Sequence, residues 1–231
     1  MKELVVSVPD EVRQDLSGRH LLRDIDRIGQ RTISTGLEWG FTSGFTPFTS
    51  PPRAVVGSIF PGKSCEWNIG NSLYQLKTCD ALPQIMAHSH PDYNAYFSDL
   101  DHTSWQEEPD YVSIYDARTV NIYKPPESRT IQLVVAPNFT GQHHVAVLCQ
   151  TRQGVDLSSY DGRDLNDRIL TNDQYFTNLF HMVINRDRAL QKAKDKMGID
   201  TRTFVLDDRG RSEFQQYIFS HLPQELLLTK K

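Results

Sequence analysis

Residues 84–101 read QIMAHSHPDYNAYFSDLD. They contain two histidines separated by one residue, His88 and His90, then Ser98 after seven residues and Asp101 after two more. The apolar residues that lead into the histidines predict a strand. Because alternate side chains of a strand point to the same face, the two imidazoles are expected to meet at the end of that strand.

The second half of this pattern adds a hydroxyl and a carboxylate. Ser98 and Asp101 are three residues apart, which places them on one side of the first turn of a helix, and the intervening chain has room to double back. Two imidazoles, one carboxylate and an open position for water form the ligand set of catalytic zinc. We therefore predict one zinc ion per chain, with His88, His90 and Asp101 as its ligands.

Each half of the pattern also has a simpler explanation. A histidine pair can be structural or exposed, and Ser-x-x-Asp matches a capping box with Ser98 as the N-cap. The conjunction of four residue types at fixed spacing favours the metal site over these separate explanations.

The pattern of apolar residues around this stretch predicts a mixed α/β fold. From Val12 to Ile28 they recur at helical spacing, which predicts an amphipathic helix interrupted at Gly18. Further helices are predicted over residues 176–193 and 213–221. Extended segments are predicted at residues 72–76, 84–90, 111–115, 119–123, 131–136 and 144–149, in addition to strands between residues 36 and 61. A helix, then many strands, then more helices indicate a mixed sheet flanked by helices.

Composition and charge exclude several classes of protein. The 231 residues are 38% hydrophobic and 23% charged, which is typical of a globular chain rather than a disordered one. The formal charge of -4 offers no broad cationic surface, so nucleic acid is not an expected partner. No apolar run predicts a signal peptide or a membrane span, and three cysteines without a Cys-x-x-Cys pair favour a reducing, cytoplasmic location.

The stretch from His88 through Asp101 resembles the signature of the JAMM metalloprotease family, also called JAB or MPN-plus. That signature is an upstream glutamate, His-x-His, seven residues, then Ser-x-x-Asp, and here Pro91 follows the second histidine, as is frequent in the family. The resemblance implies a zinc-dependent peptidase or isopeptidase with a cytidine-deaminase-like JAB/MPN fold. It covers residues 36–149. Because the sequence becomes more polar after residue 151, we predict a metallopeptidase core with an N-terminal helix in residues 1–150, and a helical C-terminal extension or the remainder of the same domain in residues 151–231.

The family also requires a glutamate on an early strand to activate the metal-bound water. Glu38 lies 50 positions before His88 and precedes a small residue and extended chain, whereas Glu66 lies only 22 positions before it. The shorter interval leaves little room for the strands that usually intervene, so Glu38 is the favoured general base and Glu66 the alternative. The resemblance further implies that Ser98 stabilises the oxyanion rather than acting as a nucleophile.

Other site architectures fit less well. A cupin needs a glutamate a few residues after the second histidine, and a serine hydrolase needs a Gly-x-Ser-x-Gly elbow; neither pattern is present. The expected partner is a polypeptide substrate, with ubiquitin-like conjugates among the candidates, and the oligomeric state stays open. The alternative function is a catalytically idle scaffold or interaction module of the same fold.

Overall fold

The computed structural model describes residues 3–64, 66–91, 95, 97, 114–116, 118, 121–124, 130–150 and 198–230. The helices in these ranges are α1 (Asp10–Ser17), α2 (Arg19–Thr35), α3 (Gly70–Thr78) and α4 (Asp208–His221). The strands are β1 (Glu3–Ser7), β2 (Trp39–Thr46), β3 (Arg53–Val56), β4 (Phe60–Pro61), β5 (Leu82–Ser89), β6 (Ile114–Asp116), β7 (Asn121–Lys124), β8 (Ile131–Ala136), β9 (His144–Gln150), β10 (Ile199–Val205) and β11 (Glu225–Lys230).

The larger sheet has the strand order β10-β9-β8-β5-β2-β3, and β4 pairs with β2 beside β3. Strands β5 and β8 are parallel, and the other neighbours in this sheet are antiparallel. A mixed sheet with helices packed against it confirms the predicted α/β class. The expected strands over residues 84–90, 131–136 and 144–149 correspond to β5, β8 and β9.

A smaller antiparallel sheet, ordered β1-β11-β7-β6, joins the two ends of the chain. Its side chains Val6, Leu226 and Leu228 belong to the same apolar core as the larger sheet. Residues 198–230 therefore contribute two strands and one helix that pack against residues before 150, rather than helices alone. The predicted helix over residues 176–193 lies outside the described residues.

Helix α2 covers one face of the larger sheet. Gly18 separates it from α1. The region predicted as one interrupted helix therefore forms two helices, and the interruption is at Gly18 as predicted. The helix ends at Gly36, whose φ of 67° is the left-handed conformation that glycine adopts without strain. Its buried residues Ile25 and Ile28 share the apolar core with strand residues that include Phe41, Ala87, Leu133, Val135 and Val147.

The extended segment predicted over residues 72–76 is wrong, because these residues form α3. A strand would place Ser72, Tyr74 and Leu76 on one face. In the helix, Ser72 and Leu76 are one turn apart and buried, whereas Tyr74 points outward and is 70% exposed. Helix α3 contacts β2 and β5, the two strands that carry the candidate site.

No helix in the described ranges is a candidate membrane span. None of them combines the length and the apolar character needed to cross a bilayer. The longest, α2, has 17 residues and exposes a polar face that includes His20.

Candidate metal centre

Strand β5 brings His88 and His90 together at its carboxyl end. His88 is in the strand, and His90 continues its pairing with β8, since the backbone N–H of His90 donates to the carbonyl of Val135 at 2.9 Å. Both side chains are buried, with 8% and 7% of their surface exposed. Their Nε2 atoms are 3.1 Å apart, so the imidazoles meet as the alternation along a strand predicts.

This separation matches what a shared metal ion requires. Zinc binds imidazole nitrogen at about 2.0–2.1 Å, and two such ligands at a tetrahedral angle are about 3.3 Å apart. The observed 3.1 Å between the Nε2 atoms is close to that value. The pair therefore has the spacing of two ligands of one ion, which is also the spacing of a hydrogen bond between the two rings.

Ser89, between the histidines, points to the opposite face and anchors this end of β5. Its hydroxyl accepts a hydrogen bond from the backbone N–H of Trp39 at 3.0 Å and donates to the carbonyl of the same residue at 3.1 Å. It also hydrogen-bonds the hydroxyl of Thr32 on α2. These contacts tie β5 to β2 and to α2, and so fix the direction in which the histidines project.

Glu38 lies immediately before β2, beside the end of β5. In the antiparallel pairing of the two strands Gly40 is opposite His88, so continuing the register by two residues brings Glu38 level with His90 and on its face. The N–H of Glu38 donates to the carbonyl of Lys63 at 2.8 Å, and its carbonyl accepts from the N–H of Gly62 at 2.7 Å. The side chain is only 6% exposed.

Glu66, the alternative base, has a different environment. Its carboxylate is 49% exposed and accepts a hydrogen bond from Nζ of Lys63 at 3.1 Å. It is therefore engaged in a surface ion pair, and the buried carboxylate at the end of β2 is that of Glu38. The geometry favours Glu38 for any role next to the histidines.

The other predicted site residues, Ser98 and Asp101, lie outside the described residues. Within the described ranges, no three or more His, Cys, Asp or Glu side chains converge on one point as a ligand set. The described chain thus supplies the imidazole pair and, by the register of β2 and β5, a buried glutamate on the same face of the sheet. The third ligand stays the prediction made from the His-x-His and Ser-x-x-Asp spacing.

Two residues beside His88 were not singled out from the sequence. The indole of Trp67 is stacked on the imidazole of His88, with ring centroids 6.0 Å apart and an angle of 10° between the planes. Gly40 leaves open the space that this indole occupies, because a Cβ built on it would overlap the ring. A glycine inside a strand signals a close approach of this kind, but only the fold shows what approaches.

His143 is a buried titratable residue away from the pair. Its Nδ1 accepts a hydrogen bond from the N–H of Asn138 at 3.0 Å, and its ring packs directly on Gly29 of α2. Burial lowers the pKa of His143, and the nearby Asp26 offsets this only in part. The adjacent His144 is exposed, so these two histidines do not form a second chelating pair.

Comparison with known proteins gives no family assignment. No protein-family model matches the chain, and no curated protein is significantly similar to it. The functional argument therefore depends on the residues of the site and on their geometry.

Proposed function

We propose that this chain is a JAMM-type zinc metallopeptidase or isopeptidase, which hydrolyses a peptide or isopeptide bond in a polypeptide substrate. The observation that carries the proposal is the buried pair of Nε2 atoms 3.1 Å apart, with the buried Glu38 on the same face of the sheet by strand register. The same 3.1 Å also fits a hydrogen bond between the two imidazoles, so the proposal adds to it the His-x-His and Ser-x-x-Asp spacing of the motif.

The residues divide into ligands and groups that handle protons. In the proposal His88, His90 and Asp101 hold one zinc ion, and the imidazoles bind through neutral Nε2. When bound, zinc supplies Lewis acidity and brings the pKa of a water in its open position to about 7. The contacts of Ser89 keep the imidazoles directed at the ion, which favours binding because little conformational freedom is lost.

Glu38 moves the proton in the proposed reaction. Its carboxylate accepts a proton from the attacking water as the water oxygen bonds to the scissile carbonyl carbon. It then returns that proton to the departing nitrogen as the carbon–nitrogen bond breaks, so the carboxylate is regenerated. The hydroxyl of Ser98 donates a hydrogen bond to the oxyanion, an interaction whose loss typically costs about 10²–10³ in rate.

The substrate class follows from the reaction rather than from a binding surface. Ubiquitin-like conjugates and other cellular polypeptides are the candidates, and the net charge of -4 gives no reason to expect nucleic acid. A cytoplasmic location is part of the proposal, because three cysteines without a Cys-x-x-Cys pair are typical of a reducing compartment.

Metal analysis of the purified protein tests the ligand assignment. We expect about one zinc per chain in the wild type and none in the double variant His88→Ala, His90→Ala. His20→Ala is the matched control. His20 is exposed at the start of α2, about 18 Å along the helix from Thr32, which hydrogen-bonds Ser89 between the two histidines. A wild-type protein that takes up no zinc would favour the idle scaffold instead.

A pair of glutamate variants tests the chemistry. Glu38→Gln is expected to retain zinc and to lose about 10²–10⁴ of the rate against whichever conjugate or polypeptide the wild type cleaves in a screen, since the amide cannot carry the proton. Glu66→Gln should leave turnover unchanged, because the Glu66 carboxylate is in a surface ion pair. Loss of turnover in Glu66→Gln with full activity in Glu38→Gln would reverse the assignment of the base.

A further inference from the structure

The indole of Trp67 fits against the strand that carries the proposed metal ligands. It is stacked on His88 with the planes 10° apart, and the centroid separation of 6.0 Å is within the range for interacting aromatic rings. It also lies against the bare α-carbon of Gly40, the residue opposite His88 in the β2–β5 pairing. Trp67 thus touches the ligand strand and its neighbour at the same level of the sheet.

The contact between Trp67 and the sheet requires a glycine at position 40. A Cβ at position 40 would overlap the Trp67 ring and would also come within 2.6 Å of the carbonyl oxygen of Ala87. The carbonyl belongs to the backbone of β5 and cannot rotate away as a side chain can. Glycine at this position is therefore what allows the indole to lie flat beside His88.

Trp67 is held by the same short stretch that holds Glu38. This stretch, residues 60–64 and 66–67, is called the turn segment below. Its first residues pair with β2 as strand β4, and Gly62 and Lys63 make both backbone hydrogen bonds of Glu38. The N–H of Lys63 donates to the carbonyl of Glu66 at 2.7 Å, which brings the chain back to Trp67.

We propose that Trp67 is a positioning residue for the metal centre: its ring confines the His88 imidazole to the orientation that directs Nε2 at His90, and the turn segment couples this orientation to Glu38. The terminal torsion of a histidine side chain has a broad energy profile, so an imidazole without a packed neighbour samples many ring orientations. A parallel indole restricts that rotation. The inference rests on the proposed function in that it assigns the histidine pair to a metal ion.

The ring face of Trp67, rather than its N–H group, carries this role. Among the described residues the buried Nε1 of Trp67 has no hydrogen-bond partner. Phenylalanine keeps a flat aromatic ring at this position, although it is smaller than the indole, and removes the N–H donor. Leucine removes the flat ring and keeps apolar bulk, so the two substitutions separate ring stacking from the N–H group and from general packing.

Cobalt affinity, measured by competition with a coloured chelator, tests the proposal without any need for a substrate. We expect Trp67→Phe to bind Co²⁺ within about threefold of the wild type, and Trp67→Leu to bind about 10–100-fold more weakly, the usual cost of losing a group that orients a ligand. The visible Co²⁺ spectrum of Trp67→Leu should also change. Tyr74→Leu is the control, because it replaces an aromatic ring that is 70% exposed on α3.

Gly40→Ala provides a second variant in case Trp67→Leu does not fold, as judged by circular dichroism. It displaces the indole without deleting it and should weaken Co²⁺ binding in the same direction. Wild-type affinity and spectrum in a folded Trp67→Leu or Gly40→Ala protein would overturn the inference, as would a tenfold loss in Trp67→Phe. If the wild type binds no Co²⁺, the proposed metal site is wrong and this inference fails with it. If the Trp67→Leu variant binds Co²⁺ more weakly but the wild type has no peptidase activity, only the proposed reaction is refuted.

Discussion

Zinc should raise the thermal stability of this protein through His88 and His90. The ion binds the folded chain, in which the two Nε2 atoms are 3.1 Å apart, and finds no such pair preformed in the unfolded chain. A ligand that binds only the native state stabilises it by RT ln(1 + [L]/Kd). Replacing either histidine with alanine should abolish the effect.

The size of the shift follows from the ratio of free zinc to Kd. The ideal separation for two zinc-bound imidazole nitrogens is about 3.3 Å, against 3.1 Å here, so the pair needs little rearrangement to bind an ion and Kd includes little of that cost. The stabilisation amounts to about 2.7 kcal/mol when free zinc is 100 times Kd. For a chain of this length that corresponds to a rise in Tm of about 5–11 °C.

Circular dichroism melts in zinc-buffered solutions measure this shift. The wild type and the exposed-site control His20→Ala should both show the full rise, while His88→Ala and His90→Ala should melt at the same temperature with and without zinc. An unchanged wild-type Tm at saturating zinc, or an unreduced rise in the Tm of His90→Ala, would refute the hypothesis that His88 and His90 bind one zinc ion together.

Two buried polar side chains give further predictions about stability. Thr42→Val should raise the free energy of unfolding by about 1 kcal/mol, because the buried Thr42 hydroxyl has no hydrogen-bond partner within the described part of the chain; a lower urea midpoint for the variant would contradict this. Burial lowers the pKa of His143 below its unfolded value of 6.5, so the unfolded chain takes up the proton first as the pH falls. The free energy of unfolding should therefore be highest above pH 6.5 and decline below it. Urea unfolding from pH 7.5 to 5 should show a shallower decline of this free energy in His143→Gln than in the wild type. Equal declines in the two proteins would show that His143 is not responsible.

Local patterns predicted those features that depend on neighbours along the chain. The meeting of His88 and His90 needs only the two-residue period of a strand, and the interruption at Gly18 needs only the tolerance of glycine for a helix break. The segment over residues 72–76 was misassigned because a short run of mixed residues fits either period. Burial of Ser72 with Leu76, which reveals the helix, is a property of the packed α3.

The choice between the two glutamates required the fold. Glu38 and Glu66 are both acidic residues near a tryptophan in the sequence, and spacing alone favours one without excluding the other. The pairing of β2 with β5 brings Glu38 to the buried end of the sheet, whereas the Lys63 ion pair keeps Glu66 at the surface. The roles of Ser98 and Asp101 stay predictions from the motif.

By itself, the order of amino acids determined the α/β class and the common direction of the two imidazoles, because both follow from the short-range periodicity of side chains along the backbone. Tertiary structure alone decided that Trp67 lies against Gly40 and His88, and that Glu38 is buried. These neighbours are separated by 20 to 50 positions in the chain. Strand register and close packing, which depend on all the elements together, determine which of such distant residues come into contact.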